Sequence, residues 1–215
     1  MHVRLDKIDK RFGRARLVLD GIDLELAAGS FAYLRGVSGA GKSTLLGIVA
    51  GTIAPDAGRV HLDGREPWSE GEAAAAAFRR ERVGIVFQTG RALPGVSLVE
   101  NVALPLRFAG RRDALRRARA ALADSGLERL GDALPDEVSV GELQRVCVVR
   151  ALIAEPALVV ADEPTSSLDV EAADFVRSAL RRAWQRGATV LVATHDERDL
   201  AAGDRVLTLH EGRLA

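Results

Sequence analysis

The residues from 36 to 44 offer the clearest chemistry in this sequence. They read Gly-Val-Ser-Gly-Ala-Gly-Lys-Ser-Thr and fit the pattern G-x-x-x-x-G-K-[ST] from Gly36 to Ser43. Apolar runs predict a strand before them, at 31–35, and a helix after them, at 44–50. At such a turn, glycines let backbone N–H groups converge on phosphate oxygens, and the helix dipole favours negative charge. We therefore predict a nucleoside triphosphate site.

Two side chains of this loop have distinct expected roles. Lys42 would reach the outer phosphates, and the hydroxyl of Ser43 would hold Mg²⁺. The residues expected to contact the nucleotide here are Gly36, Ser38, Gly39, Ala40, Gly41, Lys42, Ser43 and Thr44. The alternative is an ordinary turn with a surface lysine. The order of strand, turn and helix favours the phosphate site.

Polar groups also follow two apolar runs further along the chain. Asp162 and Glu163 come after a predicted strand at 158–161, and His195 follows another at 189–193. Ligands of open α/β sheets bind at the carboxyl ends of the strands. We expect Asp162 to hold the Mg²⁺ shell and Glu163 to orient or deprotonate an attacking water. His195 would sense the γ-phosphate. Helix capping by the acids and loop capping by the histidine are the alternatives.

Length and composition narrow the classes of protein to which this chain could belong. The chain has 215 residues, which suits one large domain or a core with a subdomain, and its 47% hydrophobic content supports a sizeable core. Its 30 basic and 30 acidic residues give no net charge, which argues against a nucleic-acid partner. Cys147 is expected to be a core residue, because it lies in an apolar helical stretch. No secretory signal is evident, and the apolar runs are too short to cross a bilayer.

The apolar pattern of the sequence predicts the strands and helices that position the candidate site residues. Continuous apolar strands separated by helices predict an α/β fold with a mainly parallel sheet covered on both faces. The first thirty residues alternate like an antiparallel β region, with a break expected at Asp20-Gly21. Residues 97–155 read as helical, and we expect them to form an inserted α-helical subdomain.

Together these motifs resemble the ATP-binding subunit of an ABC transporter. The family's signature corresponds to 138–146, Val-Ser-Val-Gly-Glu-Leu-Gln-Arg-Val, before a helix, where the usual pattern is Leu-Ser-Gly-Gly-Glu/Gln. The D-loop corresponds to 167–169, Ser-Leu-Asp. The resemblance implies a P-loop NTPase (RecA-like) core, a single nucleotide-binding domain over 1–215, and ATP hydrolysis with Mg²⁺.

The resemblance also assigns further site residues. It makes Gln88 the Q-loop residue, acting in catalysis and as a Mg²⁺ ligand, and His195 the switch histidine. It places Phe12 against adenine, although Phe12 could instead pack in the β subdomain. The signature residues implied to contact ATP are Ser139, Gly141 and Glu142. The family dimerises head to tail, so these residues would close over the ATP of a second copy. Because Val140 replaces a glycine, we expect an ordinary backbone conformation there.

Residues 87–105 resemble the lipoprotein-release and macrolide-efflux type and the related cell-division ATPase. The resemblance implies an ATPase that powers an export or mechanotransmission permease, held peripherally at the cytoplasmic face of the membrane by that partner. An ATP-gated regulatory scaffold of the cell-division type is the alternative. The apolar residues expected to meet the permease, or else to be subdomain core, are Leu93, Pro94, Val96 and Leu98. Five arginines are expected to form a solvated helix face, with lipid headgroups as the alternative partner: Arg111, Arg112, Arg116, Arg117 and Arg119.

Overall fold

Two β-sheets and six α-helices organise the part of the chain that the structure, a computed structural model, describes: residues 1–13, 16–200 and 204–215. The strands are β1 (Val3–Phe12), β2 (Arg16–Leu26), β3 (Phe31–Arg35), β4 (Ala57–Leu62), β5 (Val83–Val86), β6 (Leu158–Asp162), β7 (Thr189–Ala193), β8 (Arg205–His210) and β9 (Arg213–Leu214). The helices are α1 (Lys42–Val49), α2 (Glu72–Arg82), α3 (Leu98–Phe108), α4 (Ala114–Asp124), α5 (Val140–Leu152) and α6 (Val170–Gln185). Short 3₁₀ turns lie at Glu128–Leu130 and Glu197–Asp199.

The larger sheet has the strand order β5-β6-β7-β3-β8-β9 and is parallel except where β8 meets β9. Both of its faces are covered, because alternate residues of β6 enter different hydrophobic clusters. Val160 packs with residues of α1, whereas Val159 packs with residues of α5 and α6. The expected α/β fold with a mainly parallel sheet is confirmed. Strands β8 and β9 were not predicted from the sequence.

The smaller sheet is antiparallel, with the order β2-β1-β4. The break predicted at Asp20-Gly21 is wrong, because β2 runs through both residues. The pairing slips instead, from Ile8 opposite Ile22 to Lys10 opposite Leu19. Gly21 has a φ of 60°, a left-handed conformation that glycine adopts without steric cost. A glycine that predicts a turn therefore forms a bulge inside a continuous strand.

The helices α3, α4 and α5 lie between β5 and β6 in the sequence and share a hydrophobic cluster of their own. Among the apolar residues after Gln88, Leu98 is fully buried in this cluster, whereas Leu93 is 50% exposed. Asn101 orders the stretch between them, since its side-chain amide donates to the carbonyls of Leu93, Val96 and Ser97. The subdomain-core alternative therefore holds for Leu98 and not for Leu93.

The arginine-rich surface of α4 is largely paired with acidic side chains. Asp113 contacts Arg111 at 3.5 Å and Arg116 at 3.1 Å, and Asp132 contacts Arg119 at 2.7 Å. This pairing favours the solvated-face interpretation. Within the described ranges, no helix has both the length and the apolar character that crossing a membrane requires.

The central strand β3 should dominate the stability of the sheet. Leu34 is fully buried between β7 and β8, so Leu34→Ala should lower the free energy of unfolding by about 2–5 kcal/mol. Leu115→Ala is the matched control, because Leu115 is 39% exposed and should cost about 0.5 kcal/mol or less. Urea denaturation measures both variants. Equal losses would contradict the assignment of the core to this sheet.

Candidate active site

Backbone contacts fix the shape of the phosphate loop. Helix α1 begins after Gly41, whose φ of 107° lies in the left-handed region that glycine favours. A Cβ at Gly41 would lie 3.0 Å from the carbonyl oxygen of Val18 in β2. A Cβ at Gly36 would lie 2.4 Å from the carbonyl oxygen of Leu209 in β8. Both positions therefore require glycine, because strands from two sheets press against the loop.

Lys42 lies inside the arch of this loop. Its side chain is only 6% exposed, and its Nζ donates to the carbonyls of Gly36 at 2.8 Å and Val37 at 3.3 Å. Its Nζ also lies 3.5 Å from Oε1 of Glu163. A buried ammonium group at the start of a helix adds its charge to that of the helix N-terminus, and both favour a bound anion.

Glu163 directly follows β6 and has a strained backbone conformation. Its φ of 42° is left-handed, which costs a non-glycine residue about 1–3 kcal/mol. Its backbone N–H donates to the carbonyl of Ala193 at 2.9 Å, so the pairing between β6 and β7 holds it there. Its other carboxylate oxygen, Oε2, lies 2.7 Å from Nδ1 of His195. The predicted pair of Glu163 and His195 is therefore in direct contact.

These groups line a single cavity of about 820 Å³ at the carboxyl edge of the sheet. Its lining residues are Phe12, Val18, Gly36, Val37, Ser38, Gly39, Gly41, Lys42, Ser43, Thr44, Gln88, Asp162, Glu163 and His195. Val18 and Val37 were not predicted. Ala40 was predicted but is absent from this lining, since its side chain is buried in the core and its N–H donates to the carbonyl of Val37 at 3.1 Å.

Phe12 presents an aromatic ring at the edge of this cavity. It is 49% exposed and belongs to none of the hydrophobic clusters that the described residues form, which argues against the alternative that it merely packs in the β subdomain. The ammonium group of Lys10 lies 5.5 Å from the ring centroid. An exposed ring beside a phosphate loop can stack on a planar base.

The cavity carries the oxygen donors that a Mg²⁺ ion prefers. Ser43 offers a hydroxyl, Asp162 a carboxylate and Gln88 an amide oxygen, all in the same lining. The amide nitrogen of Gln88 donates to Oγ of Ser166 at 3.4 Å, so its oxygen is the atom that can ligate a cation. Among the described residues, no cluster of three or more His, Cys, Asp or Glu side chains forms a metal cage. These donors therefore fit an ion that is shared with phosphates.

The signature residues form a capping box at the start of α5. The N–H and hydroxyl groups of Ser139 donate to Oε2 of Glu142, at 3.0 and 2.8 Å, and the N–H of Glu142 donates to Oγ of Ser139 at 3.3 Å. The guanidinium of Arg129 contacts Oε1 of Glu142. The hydrogen bonds from Ser139, followed by that from Arg129, lower the pKa of Glu142 to about 2. Glu142 was predicted to contact the nucleotide, but in this structure its carboxylate serves the cap.

Val140 occupies the first helical position of α5 and is 62% exposed. Its φ is not positive, so the expected ordinary backbone is confirmed. A Cβ at Gly141 would lie 3.5 Å from Cβ of Ala172, which shows that the starts of α5 and α6 lie side by side. Val170, at the start of α6, is 72% exposed. The signature residues Ser139, Gly141 and Glu142 do not line the cavity of the phosphate loop.

Gln144 links the signature helix to the cavity. Its side chain is buried, and its amide nitrogen donates to the carbonyls of Phe87 at 2.8 Å and Pro164 at 3.2 Å. Those residues adjoin Gln88 and Glu163. Sequence reasoning missed this role. A glutamine among apolar residues in the middle of a helix is the signal that could have revealed it.

The family model described as ABC transporter matches residues 19–166 of the chain. This chain belongs to the ABC transporter family. The resemblance inferred from the motifs and the expectation of an ATPase are therefore confirmed.

Several named proteins are similar to this chain over most of its length. The lipoprotein-releasing system ATP-binding protein LolD of Chromohalobacter salexigens is 41% identical over 92% of this chain and 85% of its own length. LolD of Geobacter metallireducens is 42% identical over 92% of this chain and 89% of its own length. The macrolide export ATP-binding/permease protein MacB of Brucella melitensis is 38% identical over 99% of this chain, which corresponds to 34% of that protein.

A solved structure supports the same fold. The ATP-binding cassette MJ0796, in a dimeric post-hydrolysis state bound to ADP and Pi, matches with a TM-score of 0.92 and 31% identity. The match covers 99% of this chain and 96% of that chain. The expected P-loop core with its antiparallel and helical parts is confirmed.

The lowered pKa of Glu142 makes the capping box acid-resistant. Because the folded pKa lies below the ordinary value of 4.5, the charged carboxylate stabilises the fold fully above pH 4.5, and this contribution is lost as the pH falls towards 2. The stability difference between the wild type and Glu142→Gln should therefore be constant above pH 4.5 and shrink below it. Urea denaturation at several pH values measures it, and NMR titration should give a midpoint near 2. A midpoint near 4.5 would contradict the capping geometry.

Proposed function

We propose that this chain hydrolyses ATP in sites shared between two copies, and that the signature helix of each copy completes the site of the other. The observation that carries the proposal is that the signature residues lie apart from the cavity of the phosphate loop. The phosphate loop, Asp162, Glu163 and His195 line one cavity, whereas Ser139 and Gly141 lie outside it. The start of α5 is nevertheless suited to an anion, because it combines a hydroxyl, backbone N–H groups and the positive end of a helix dipole.

The exposed residues around the signature support a shared site. Val37, Val140 and Val170 are 69%, 62% and 72% exposed, and each lies in the phosphate loop or at the start of a helix beside the signature. Apolar groups with this exposure become favourable to bury when a second copy covers them. MJ0796 is dimeric in its post-hydrolysis state bound to ADP and Pi, which supports an assembly of two copies.

The proposed chemistry divides the roles among the lining residues. The loop N–H groups and Lys42 bind the phosphates of ATP and stabilise charge on the outer phosphate as its bond to the leaving oxygen breaks. Glu163 orients the attacking water and accepts its proton, while His195 holds the carboxylate and senses the outer phosphate. Phe12 stacks on the base. Ser43, Gln88 and Asp162 would hold Mg²⁺, which supplies positive charge to the phosphates when bound.

We further propose a membrane permease as the partner. LolD is named as the ATP-binding protein of a lipoprotein-releasing system, and MacB is named as a combined ATP-binding and permease protein. Leu93 is 50% exposed and Phe108 is 65% exposed, so the segment from Leu93 to Phe108 offers apolar groups to a partner. The chain would then work peripherally at the cytoplasmic face of the membrane. Residues 97–155, which contain most of a separate hydrophobic cluster, would form a helical subdomain inserted in the core of the single domain over 1–215.

Removing the carboxylate charge of Glu163 tests the catalytic assignment. Glu163→Gln should lower turnover by about 10²-fold or more, because the water loses its proton acceptor, while ATP binding persists. Phosphate release and light scattering with ATP should reveal an inactive protein that accumulates as a dimer. Glu155→Gln is the matched control, since Glu155 has a similar φ of 51° but lies outside this cavity. Equal turnover of the two variants would contradict the role of Glu163.

A negative charge at Val140 tests the shared site. Val140→Glu should abolish ATP-dependent dimerisation, because the new carboxylate would face the triphosphate of the other copy. The thermal midpoint of the monomer should change little, since the side chain is 62% exposed. Phe108→Glu provides the control, as Phe108 is 65% exposed on the helical region. Light scattering that shows a normal dimer for Val140→Glu would contradict the proposal.

A further inference from the structure

A buried carboxylate lies behind the catalytic pair. The side chain of Asp199 is only 3% exposed, and its Oδ1 accepts from Nε of Arg177 at 2.8 Å. Burying a carboxylate is costly unless its oxygens receive several hydrogen bonds and a counter-charge. Asp199 has both.

The other donors to Asp199 come from the two segments that carry the catalytic residues. Oγ1 of Thr165, two residues after Glu163, donates to Oδ1 at 3.2 Å and to Oδ2 at 3.1 Å. Oγ1 of Thr194, the residue before His195, donates to Oδ2 at 2.5 Å. A single carboxylate therefore joins the turn after Glu163 to the turn before His195.

Further contacts hold this junction in place. The hydroxyl of Tyr33 in β3 donates to the carbonyl of Asp199 at 2.5 Å. The N–H of Asp196 donates to Oγ1 of Thr194 at 3.0 Å, so the residues on both sides of His195 belong to the same network. Arg177 is held in turn by Asp174 at 2.8 Å. Helix α6 thus anchors the network to the body of the protein.

We propose that Asp199 is a positioning residue for hydrolysis, which holds Glu163 and His195 at the distance that their contact requires. The proposal rests on the proposed role of Glu163. Nδ1 of His195 lies 2.7 Å from Oε2 of Glu163. Because the side chain of His195 is 64% exposed, little packing holds it, and its position depends on the backbone of its turn. Loss of the network should shift the two turns independently, and displacements of this kind lower the rate of the chemical step more than substrate binding.

A second ion pair on the same helix serves as the matched control. Arg181 lies one turn further along α6 and pairs with Asp204, which is 10% exposed. Arg181 also donates to the hydroxyl of Tyr33 at 3.5 Å. Replacing Asp204 leaves the hydrogen bonds from Thr165 and Thr194 to Asp199 in place. Loss of this second ion pair should disturb stability as the loss of Asp199 does, without disturbing the catalytic turns.

Steady-state ATPase measurements on the full chain test the proposal. Asp199→Asn should lower kcat by about 10-fold to 10²-fold and leave KM for ATP within about twofold of the wild type. Thr165→Val, which keeps the side-chain shape and removes one donor, should lower kcat in the same direction and serves if Asp199→Asn does not fold. Asp204→Asn should leave kcat unchanged. A kcat for Asp199→Asn or Thr165→Val equal to that of Asp204→Asn would overturn the proposal.

A double-mutant cycle separates positioning from a general structural role. If Thr165 acts through Glu163, adding Thr165→Val to Glu163→Gln should not lower kcat further. Independent, multiplicative losses would overturn the proposal. Full activity of Glu163→Gln alone would instead contradict the proposed role of Glu163, so the two failures are distinguishable.

Discussion

The parallel alignment of β3, β6 and β7 is the constraint on which the site depends. In this register Leu34 lies opposite Ala193, and Ala193 lies opposite Asp162, so the three strands end at the same edge. The phosphate loop follows β3, the two acids lie at the last residue of β6 and directly after it, and the histidine lies two residues after β7. Residues more than 150 positions apart in the sequence therefore meet because their strands share one register.

Charged side chains at these strand ends shape the electrostatics of the cavity. Lys42 and His195 contact opposite oxygens of the Glu163 carboxylate, so one acid lies between the loop and the strand end. A nucleotide in this cavity would meet a cationic loop on one side and the acids on the other, as phosphoryl transfer requires. The start of α5, which suits an anion, is not part of the cavity lining, and the proposed symmetric dimer would supply it to the site of the other copy.

Much of this site could be predicted from the sequence, because its motifs are local. The loop at 36–44, the acids after β6 and the histidine after β7 each combine a short pattern with a predicted strand. The features that were not predicted depend on contacts between residues distant in the sequence. Gly21 reads as a turn but forms a bulge because β1 pairs along both sides of it, and Ala40 packs in the core instead of lining the cavity. Two partners of Asp199, Arg177 and Thr165, lie 22 and 34 positions away, and no local pattern reveals those contacts.

The most direct test of the shared site mixes two inactive variants. Lys42→Ala removes the phosphate contact of one half, and Ser139→Arg blocks the signature of the other. Alone, each variant should be inactive, because both of its sites are damaged. In an equal mixture, half of the dimers should contain one site with both halves intact, and ATPase activity should recover to about a quarter of the wild-type value. A mixture no more active than either variant, or an active Ser139→Arg variant on its own, would contradict the account.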